Sequence, residues 1–385
     1  MSEPARHIAH LDLDCFFVSV ERIADPTLIG KPVVVGGSPG GRGVVASASY
    51  EARAFGVRSA MPTAKALRLC PQLLVVGSRH HEYGAISDRL YKRMLEFAPI
   101  VERASIDEMY MDFTGCDALY GNDLEGLMRR LQALVLQEFH LPCSLALATN
   151  KTLAKIAVGT VKPSGICIVP PGEEKSFLAP HPIEVIPGVG PKTAEYLKRK
   201  GFHLIVDIQA VTRERLIDLL GAHGDWIFRA ANGLGNDVVA PDSTRKSISR
   251  EETFGSDIAE TGELEKLLYS LVEDVCATLR SYHWKTCTVG LKLRYADFET
   301  ITRAVTIEPT DDDPVIYRAV RGLFRKTYAG GRGVRLLGVH LSHFDVGEQL
   351  ALPLSPRDTK RGQVLQAVDQ LRDKFGDDVI HIGNA

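Results

Sequence analysis

Three acidic side chains have the types and positions needed to hold divalent cations. Asp12 lies in the apolar segment HIAHLDLDCFFVSVE (residues 7–21), which predicts a buried strand, and Asp107 and Glu108 lie at the tip of a predicted hairpin. If the hairpin lies beside that strand, the three acids converge, and such close like charges need a cation. Oxygen ligands favour Mg²⁺ or Mn²⁺. Two such ions would support an in-line phosphoryl displacement.

The alternative for these acids is that they lie at strand ends on the surface and pair with lysines. For the three together we favour the metal site. For Asp14, in the same segment, two readings stay open: it is a metal ligand, or a carboxylate that only hydrogen-bonds its neighbours.

Three residues between and after the acids have side chains that suit phosphate oxygens. Tyr50 and Arg53 in YEARAFGV are three residues apart, on one face if the segment is helical. Lys162 precedes a proline-containing turn. A guanidinium can bind two phosphate oxygens at once, although each residue alone is more typical of an ordinary surface.

The elements around these residues predict a sheet with helices on one face. Apolar spacing predicts helices in HEYGAISDRLYKRMLEF and LEGLMRRLQALVLQEF, a hairpin in PIVERASIDEMYMDFTG, and strands in KPVVVGG and CSLALAT. Strand, helix, hairpin, helix and strand in this order are typical of an antiparallel α+β sheet. The glycine-rich residues 36–43 lack the GK[ST] ending of a phosphate-binding loop, so we predict a turn there.

Several segments, in order over about residues 7–345, resemble the Y-family DNA polymerases, and most closely their bacterial DNA polymerase IV branch. They are LDLDCFFVSVE, YEARAFGVRSAMPT, SIDEMYMDFT, NKTLAKIAVGTVKPSG, IPGVGPKTAEYL, RKSISREETF and GGRGVRLLGVHL. The resemblance implies an α+β right-hand polymerase with an antiparallel palm sheet, small fingers, a helical thumb and an α/β little finger. The implied boundaries are palm 1–12 and 76–165, fingers 13–75, thumb 166–235, linker 236–246, little finger 247–345 and tail 346–385.

The resemblance also implies roles for individual residues. Asp12, Asp107 and Glu108 match the ligands of two Mg²⁺ ions, for which Mn²⁺ can substitute, and Leu13 matches a position whose carbonyl also ligates metal. Phe17 matches the steric gate, an aromatic ring that excludes a ribose 2′-hydroxyl. The remaining nucleotide contacts would be Phe16, Tyr50, Arg53 and Lys162, although an aromatic residue in the position of Phe16 is usually part of the core.

The activity implied is template-directed addition of dNTPs to a primer 3′ end. Short fingers imply low fidelity and tolerance of damaged templates. The alternatives are a non-catalytic DNA-binding relative that acts as a mutagenesis scaffold, and a palm-fold nucleotidyl cyclase. The first should have lost the acids, and the second should lack a DNA-binding thumb and a basic C-terminal sheet.

Primer–template DNA needs local clusters of basic residues, because the net charge of the 385 residues is −2. The PGVGPK motif resembles a helix-hairpin-helix, whose glycines let backbone N–H groups approach a phosphate. In TVGLKLRY the period of two predicts an outward face with Lys292 and Arg294. On the pattern alone, a DNA-binding face and an ordinary solvated strand face both stay open. The candidate DNA contacts are Gly188, Gly190, Lys192, Arg245, Lys246, Arg250, Lys292, Arg294, Arg332 and Arg335. We expect acidic runs such as residues 311–313 to lie away from the DNA.

The tail segment EQLALPL resembles the peptide by which bacterial polymerases of this type bind the sliding clamp. Its matching residues are Gln349, Leu350 and Leu352, while Pro353 stands where many such peptides carry an aromatic or other apolar residue. Seven scattered cysteines without a CxxC pair argue against zinc and disulfides. With no membrane-length apolar run, we expect a cytoplasmic monomer.

Overall fold

The structure is a computed structural model that describes residues 5–236, 238–241 and 245–345, and residues 364, 365, 367, 368, 371 and 374. The chain divides into two units, Met1–Ser243 and Thr244–Ala385. This division falls within the predicted linker 236–246, while the finer boundaries of palm, fingers and thumb stay predictions. The predicted clamp-binding residues Gln349, Leu350 and Leu352 lie outside the described residues.

The first unit alternates strands and helices before it becomes helical. Its strands are β1 (Ile8–Leu13), β2 (Val33–Gly36), β3 (Val45–Ala48), β4 (Leu74–Val76), β5 (Ile100–Arg103), β6 (Glu108–Asp112), β7 (Cys143–Ala148) and β8 (Ile166–Ile168). Its helices are α1 (Phe16–Ala24), α2 (Tyr50–Ala54), α3 (Thr63–Leu69), α4 (His80–Met94), α5 (Leu124–Phe139), α6 (Lys151–Thr160), α7 (Glu174–Leu178), α8 (Pro191–Arg199), α9 (Ile205–Gln209), α10 (Arg213–Leu220) and α11 (Ala222–Ala231).

The larger sheet of this unit has the strand order β5-β6-β1-β7-β8. The antiparallel prediction is confirmed for the four strands from β5 to β7. The strand β8, which was not predicted, pairs parallel to β7. This pairing is possible because α6 lies between β7 and β8 in the chain and supplies the crossover that parallel strands require.

Helices cover both faces of this sheet, so the prediction of helices on one face is wrong. Leu145 and Leu147 of β7 pack into the core that contains α4 and α5. Ala146 and Ala148 point the other way and pack with Leu153 of α6. The alternation of strand side chains explains the two cores. The second face, beside α6, is the one on which the even-numbered side chains of β1 lie.

The smaller sheet of the first unit has the order β3-β2-β4 and its own core around Val34 and Ala52. The predicted strand in KPVVVGG is confirmed as β2, whereas β3 and β4 were not predicted. Each has only three or four residues, too few to show a period. α2 follows β3 directly, and Ser49 caps it by accepting a hydrogen bond from the Ala52 N–H at 3.2 Å.

Over residues 245–345, the second unit forms a four-stranded antiparallel sheet with two helices. Its elements are β9 (Ser247–Ile258), α12 (Thr261–Ser281), β10 (Lys285–Tyr295), β11 (Thr300–Thr310), α13 (Asp313–Thr327) and β12 (Val334–Asp345), and the strand order is β11-β10-β12-β9. The predicted alternation in β10 is confirmed, since Val289, Leu291, Leu293 and Tyr295 are buried in one core with both helices.

None of the helices in the described part of the chain has the length and apolar character needed to cross a membrane.

Candidate active site and nucleic-acid interface

The pairing of β1 with β6 brings the three predicted acids together. Asp12 lies directly opposite Glu108 in the antiparallel register, so both side chains project from the same face of the sheet. The Leu13 N–H donates to the Asp107 carbonyl at 3.0 Å, which holds the hairpin tip against the end of β1. Asp12, Leu13, Asp107 and Glu108 line one cavity.

A serine fixes the hairpin tip that carries two of these acids. Ser105 Oγ accepts hydrogen bonds from the backbone N–H groups of Asp107 at 3.2 Å and Glu108 at 3.1 Å. The same hydroxyl donates to the Asp107 carboxylate. The turn therefore holds its two acids by local hydrogen bonds, as serine commonly does in turns.

Two lysines pair with the acids from α6 and the turn after it. Lys162 Nζ lies 2.5 Å from Asp12 Oδ1, and Lys155 is ion-paired with Glu108. Burial raises the pKa of Asp12 to about 7 against the opposing effect of Lys162, and Glu108 and Asp107 raise it further. Burial would also raise the pKa of Glu108, but His10 and Lys155 lower it to about 2. The site thus holds a protonatable acid beside a firmly ionised one.

Sequence reasoning missed His10 and Lys155. His10 is fully buried, and its Nε2 lies 3.6 Å from Glu108 Oε2. The signal for His10 was its position two residues before Asp12, which places both on one face of β1. The signal for Lys155 was its spacing of four from Lys151 in an otherwise apolar helix, since two lysines at that spacing share a face. Lys151 also pairs with an acid, Glu102, at 2.6 Å.

The donor set fits a hard divalent cation, although Asp12 and Glu108 are each paired with a lysine. Within the described residues, no three His, Cys, Asp or Glu side chains form a ready group of metal ligands. The available donors are carboxylate and carbonyl oxygens, which Mg²⁺ and Mn²⁺ prefer. Asp12 is only 6% exposed and lies near two other acids, so added positive charge there would be favourable.

Asp14 hydrogen-bonds its neighbours, which favours the second of its two readings. Its carboxylate accepts from Ser144 Oγ at 3.1 Å, from the Ser164 N–H at 2.7 Å and from the Tyr50 hydroxyl at 3.1 Å. It is 1% exposed. These bonds join β1, β7, the turn after α6 and the start of α2. Burial raises the pKa of Tyr50, and Asp14 raises it further, so the hydroxyl stays a donor.

The structure brings four of the five predicted nucleotide contacts to the cavity of the acids. Phe17, Arg53 and Lys162 all line it. The expected shared face of Tyr50 and Arg53 is confirmed, since the Arg53 guanidinium lies 4.7 Å from the centre of the Tyr50 ring. Arg53 Nε donates to the Ala48 carbonyl at 3.0 Å. Phe16 also touches the cavity but is 2% exposed and part of the hydrophobic core.

The predicted hairpin of the helical region is present before α8. Gly188 has φ +91°, a conformation that favours glycine, and Gly190 is the N-cap of α8. Lys192 is exposed in the first turn of that helix. Trp226 Nε1 donates to the Pro187 carbonyl at 3.0 Å, so α11 supports the hairpin from behind.

The predicted cationic face of the second unit is partly neutralised. Lys292 pairs with Glu251 at 2.7 Å, and Arg332 pairs with Asp297 and Glu299, each at 2.6 Å. The sequence did not reveal Glu251 as the partner of Lys292 because β9 and β10 meet only across β12.

Three other predicted cations of this unit contact neutral groups. Arg294 donates to Thr300 at 2.7 Å, while Arg245 lies over Tyr282 and Arg335 over Phe298. Lys246 and Arg250 are exposed.

The last residue of the acidic run at residues 311–313, Asp313, is the first residue of α13. Asp313 is 1% exposed and ion-paired with Arg280 of α12. At least one of these acids therefore acts within the fold, where it joins the two helices.

Comparisons with known proteins agree with this architecture. The impB/mucB/samB family matches residues 11–159, and the impB/mucB/samB family C-terminal domain matches residues 245–354. DNA polymerase IV of Dehalococcoides mccartyi (strain CBDB1) is 38% identical over 380 residues, 98% of this chain and 97% of the relative. DNA polymerase IV of Halorhodospira halophila (strain DSM 244 / SL1) is 42% identical over 338 residues, 88% of this chain and 95% of the relative.

Two solved structures are also similar to the chain. One is a Y-family DNA polymerase chimera, with a TM-score of 0.78 and 27% identity, covering 89% of this chain and 100% of that one. The other is an insertion ternary complex of Dbh DNA polymerase, with a TM-score of 0.64 and 26% identity, covering 87% of this chain and 98% of that one.

Proposed function

The chain belongs to the Y-family DNA polymerases, which are DNA-directed and metal-dependent, and on that premise we propose that it performs translesion synthesis by two-metal-ion phosphoryl transfer. Asp12, Asp107 and Glu108 would be the side-chain ligands and Leu13 a carbonyl ligand. The observation that carries the proposal is the β1–β6 register, in which Asp12 faces Glu108 beside the Asp107 hairpin tip.

Two Mg²⁺ ions, or Mn²⁺ in their place, would activate the primer 3′-hydroxyl and stabilise the leaving pyrophosphate. The protein's own contribution is to hold the carboxylates on one rigid sheet face before the nucleotide arrives. Burial of Asp12 and the fixed hairpin of Asp107 reduce the reorganisation needed at the reaction step.

Arg53 and Lys162 are the proposed triphosphate contacts, because both cations line the cavity of the acids. Lys162 is paired with Asp12 at 2.5 Å. A triphosphate would offer this ammonium group a second anion, so nucleotide binding could draw Lys162 from Asp12 and free the carboxylate. Tyr50 would orient this region through its bond to Asp14, with its ring against Arg53.

Phe17 is the proposed steric gate. Its ring is half-buried and lines the same cavity as Asp12 and Arg53. A ring in that position would clash with a ribose 2′-hydroxyl and accept a deoxyribose.

The proposed partners are primer–template DNA and a dNTP, supported by the likeness to the insertion ternary complex. Low fidelity and bypass of damaged bases would follow if the small sheet β3-β2-β4 forms short fingers that enclose the new base pair only loosely. A sliding clamp remains a proposed partner through Gln349, Leu350 and Leu352.

Primer extension with the Asp107→Ala variant tests this function. We expect Mg²⁺-dependent addition of dNTPs by the wild type and its abolition in Asp107→Ala, while Asp218→Ala, which removes an exposed acid of α10, keeps it. Equal activity of Asp107→Ala and wild type would refute the assignment. An inactive wild type that still binds primer–template would favour the scaffold alternative, and cyclisation of a nucleotide would favour the cyclase.

A further inference from the structure

The helices α1 and α4 of the first unit contact each other, and each contributes one aromatic and one charged residue to the contact. Phe17 and Glu21 are four residues apart on α1, and Arg79 and Tyr83 are four residues apart at the start of α4. Residues at this spacing lie on one helical face. The aromatic residues meet each other, and the charged residues meet each other.

The aromatic half of this contact supports the ring of Phe17 from below. The rings of Phe17 and Tyr83 are stacked, with centroids 4.4 Å apart and planes inclined by 14°. Tyr83 is fully buried, whereas Phe17 lines the cavity of the acids. His80 meets both rings edge-on, with centroids 6.0 Å and 5.8 Å away. Tyr83 therefore packs against the face of the Phe17 ring and limits how far that ring can move away from the cavity.

The charged half of the contact fixes Tyr83 in turn. The Tyr83 hydroxyl donates to Glu21 Oε1 at 2.6 Å, and Arg79 Nε donates to both Glu21 oxygens at 3.1 Å. Glu21 is only 5% exposed. Burial raises the pKa of Tyr83 to about 12, and the bond to Glu21 adds to this, so the phenol remains a donor at neutral pH. Any movement of the Tyr83 ring that carries its hydroxyl away from Glu21 breaks a bond to a buried carboxylate, which is costly.

We propose that Glu21 and Tyr83 are positioning residues for sugar selection, because together they set the height of the Phe17 ring in the cavity. This inference rests on the proposed role of Phe17 as the steric gate. Neither Glu21 nor Tyr83 is among the residues that line the cavity, so both would act through Phe17. A purely structural role in joining α1 to α4 would change stability or overall activity, but would leave the preference for deoxyribose over ribose unchanged.

The experiment measures kcat/KM for a dNTP and the matching rNTP in primer extension by the full chain. We expect the ratio of kcat/KM for the dNTP to kcat/KM for the rNTP to fall about tenfold in Tyr83→Leu. This variant removes the ring that supports Phe17, and the shape of a pocket sets how well it discriminates between substrates. A fall of about threefold is expected in Glu21→Gln and in Tyr83→Phe, which keep the ring but weaken its anchor. The matched control is Glu138→Gln, which breaks an exposed pair with Arg93 at the other end of α4 and should leave the ratio unchanged.

A second set of measurements separates this inference from the gate itself. Phe17→Val should lower the ratio more than any variant of Tyr83. If Phe17→Val leaves the ratio unchanged, the gate assignment fails and the inference fails with it. If Phe17→Val lowers the ratio but Tyr83→Leu, shown to be folded by its melting temperature, does not, only the positioning role is overturned. Tyr83→Phe is the smallest change and decides the question if the other variants do not fold.

Discussion

Lys162 with Asp12 in the first unit and Lys292 with Glu251 in the second are similar ion pairs in different surroundings. The Asp12 side chain is 8% exposed and lies beside two further acids, whereas that of Glu251 is 38% exposed on an open sheet. A buried charge must be compensated, so each change there has a large effect. An exposed pair contributes little on its own. The first unit thus concentrates its chemistry in a few side chains, while the second spreads its cations over a surface.

The largest expected effect in this comparison comes from Asp12→Asn. Loss of the carboxylate should lower kcat in primer extension at least about 1,000-fold, because Asp12 would ligate the metal ions whose positive charge stabilises the transition state. The Kd for primer–template, measured by fluorescence anisotropy, should stay within about twofold. DNA affinity depends on Lys and Arg side chains at the surface, which this substitution leaves in place. A loss of DNA affinity as large as the loss of kcat would show that the two units do not divide their roles in this way.

A smaller effect is expected from Arg53→Gln. Loss of a charged hydrogen bond to phosphate should raise KM for the dNTP about tenfold and change kcat less. Steady-state kinetics over a range of dNTP concentrations measures both constants. Arg58→Gln is the matched control, because Arg58 follows the same helix but is not among the residues that line the cavity. An equal rise of KM in both variants would indicate a general change of the α2 region.

The smallest expected effects are in the second unit, and they have opposite signs. Glu251→Gln should tighten primer–template binding about twofold to threefold, because it frees Lys292 for phosphate, while Lys292→Gln should weaken binding by no more than that. Both effects should shrink as salt increases. Anisotropy titrations at two salt concentrations measure them. If Glu251→Gln weakens binding, the Lys292–Glu251 pair does not lie at the DNA surface.

The sequence predicted those parts of the fold in which a period runs over many residues. The helices α4 and α5 and the strand β10 were found in this way, because eight or more residues repeat one pattern. The short strands β3 and β4 and the parallel partner β8 were missed, since pairing between such strands depends on contacts distant in the chain. The same reason explains why the helix faces of α1 and α4 could not be matched in advance.

The predicted site followed the same rule. The acids were recognised because Asp12 interrupts an apolar strand and Asp107 and Glu108 occupy a turn. Their partners Lys155 and His10 were missed because their spacing from Lys151 and Asp12 indicates only a shared face, and not that Glu108 lies opposite that face. The neutralising acid Glu251 was missed for a related reason, since only the register of β9, β12 and β10 brings it to Lys292.

The central claim is that Asp12, Asp107 and Glu108 share divalent cations at one site. Crystals of the full chain with primer–template, an incoming dNTP and Mn²⁺, measured at a wavelength where manganese scatters anomalously, test it most directly. We expect two anomalous peaks near these acids, each about 2.0–2.3 Å from a carboxylate oxygen, as is usual for such ions. Strong peaks elsewhere, with Asp12 still paired with Lys162, Glu108 with Lys155 and Asp107 with Ser105 while the dNTP is in place, would contradict the account.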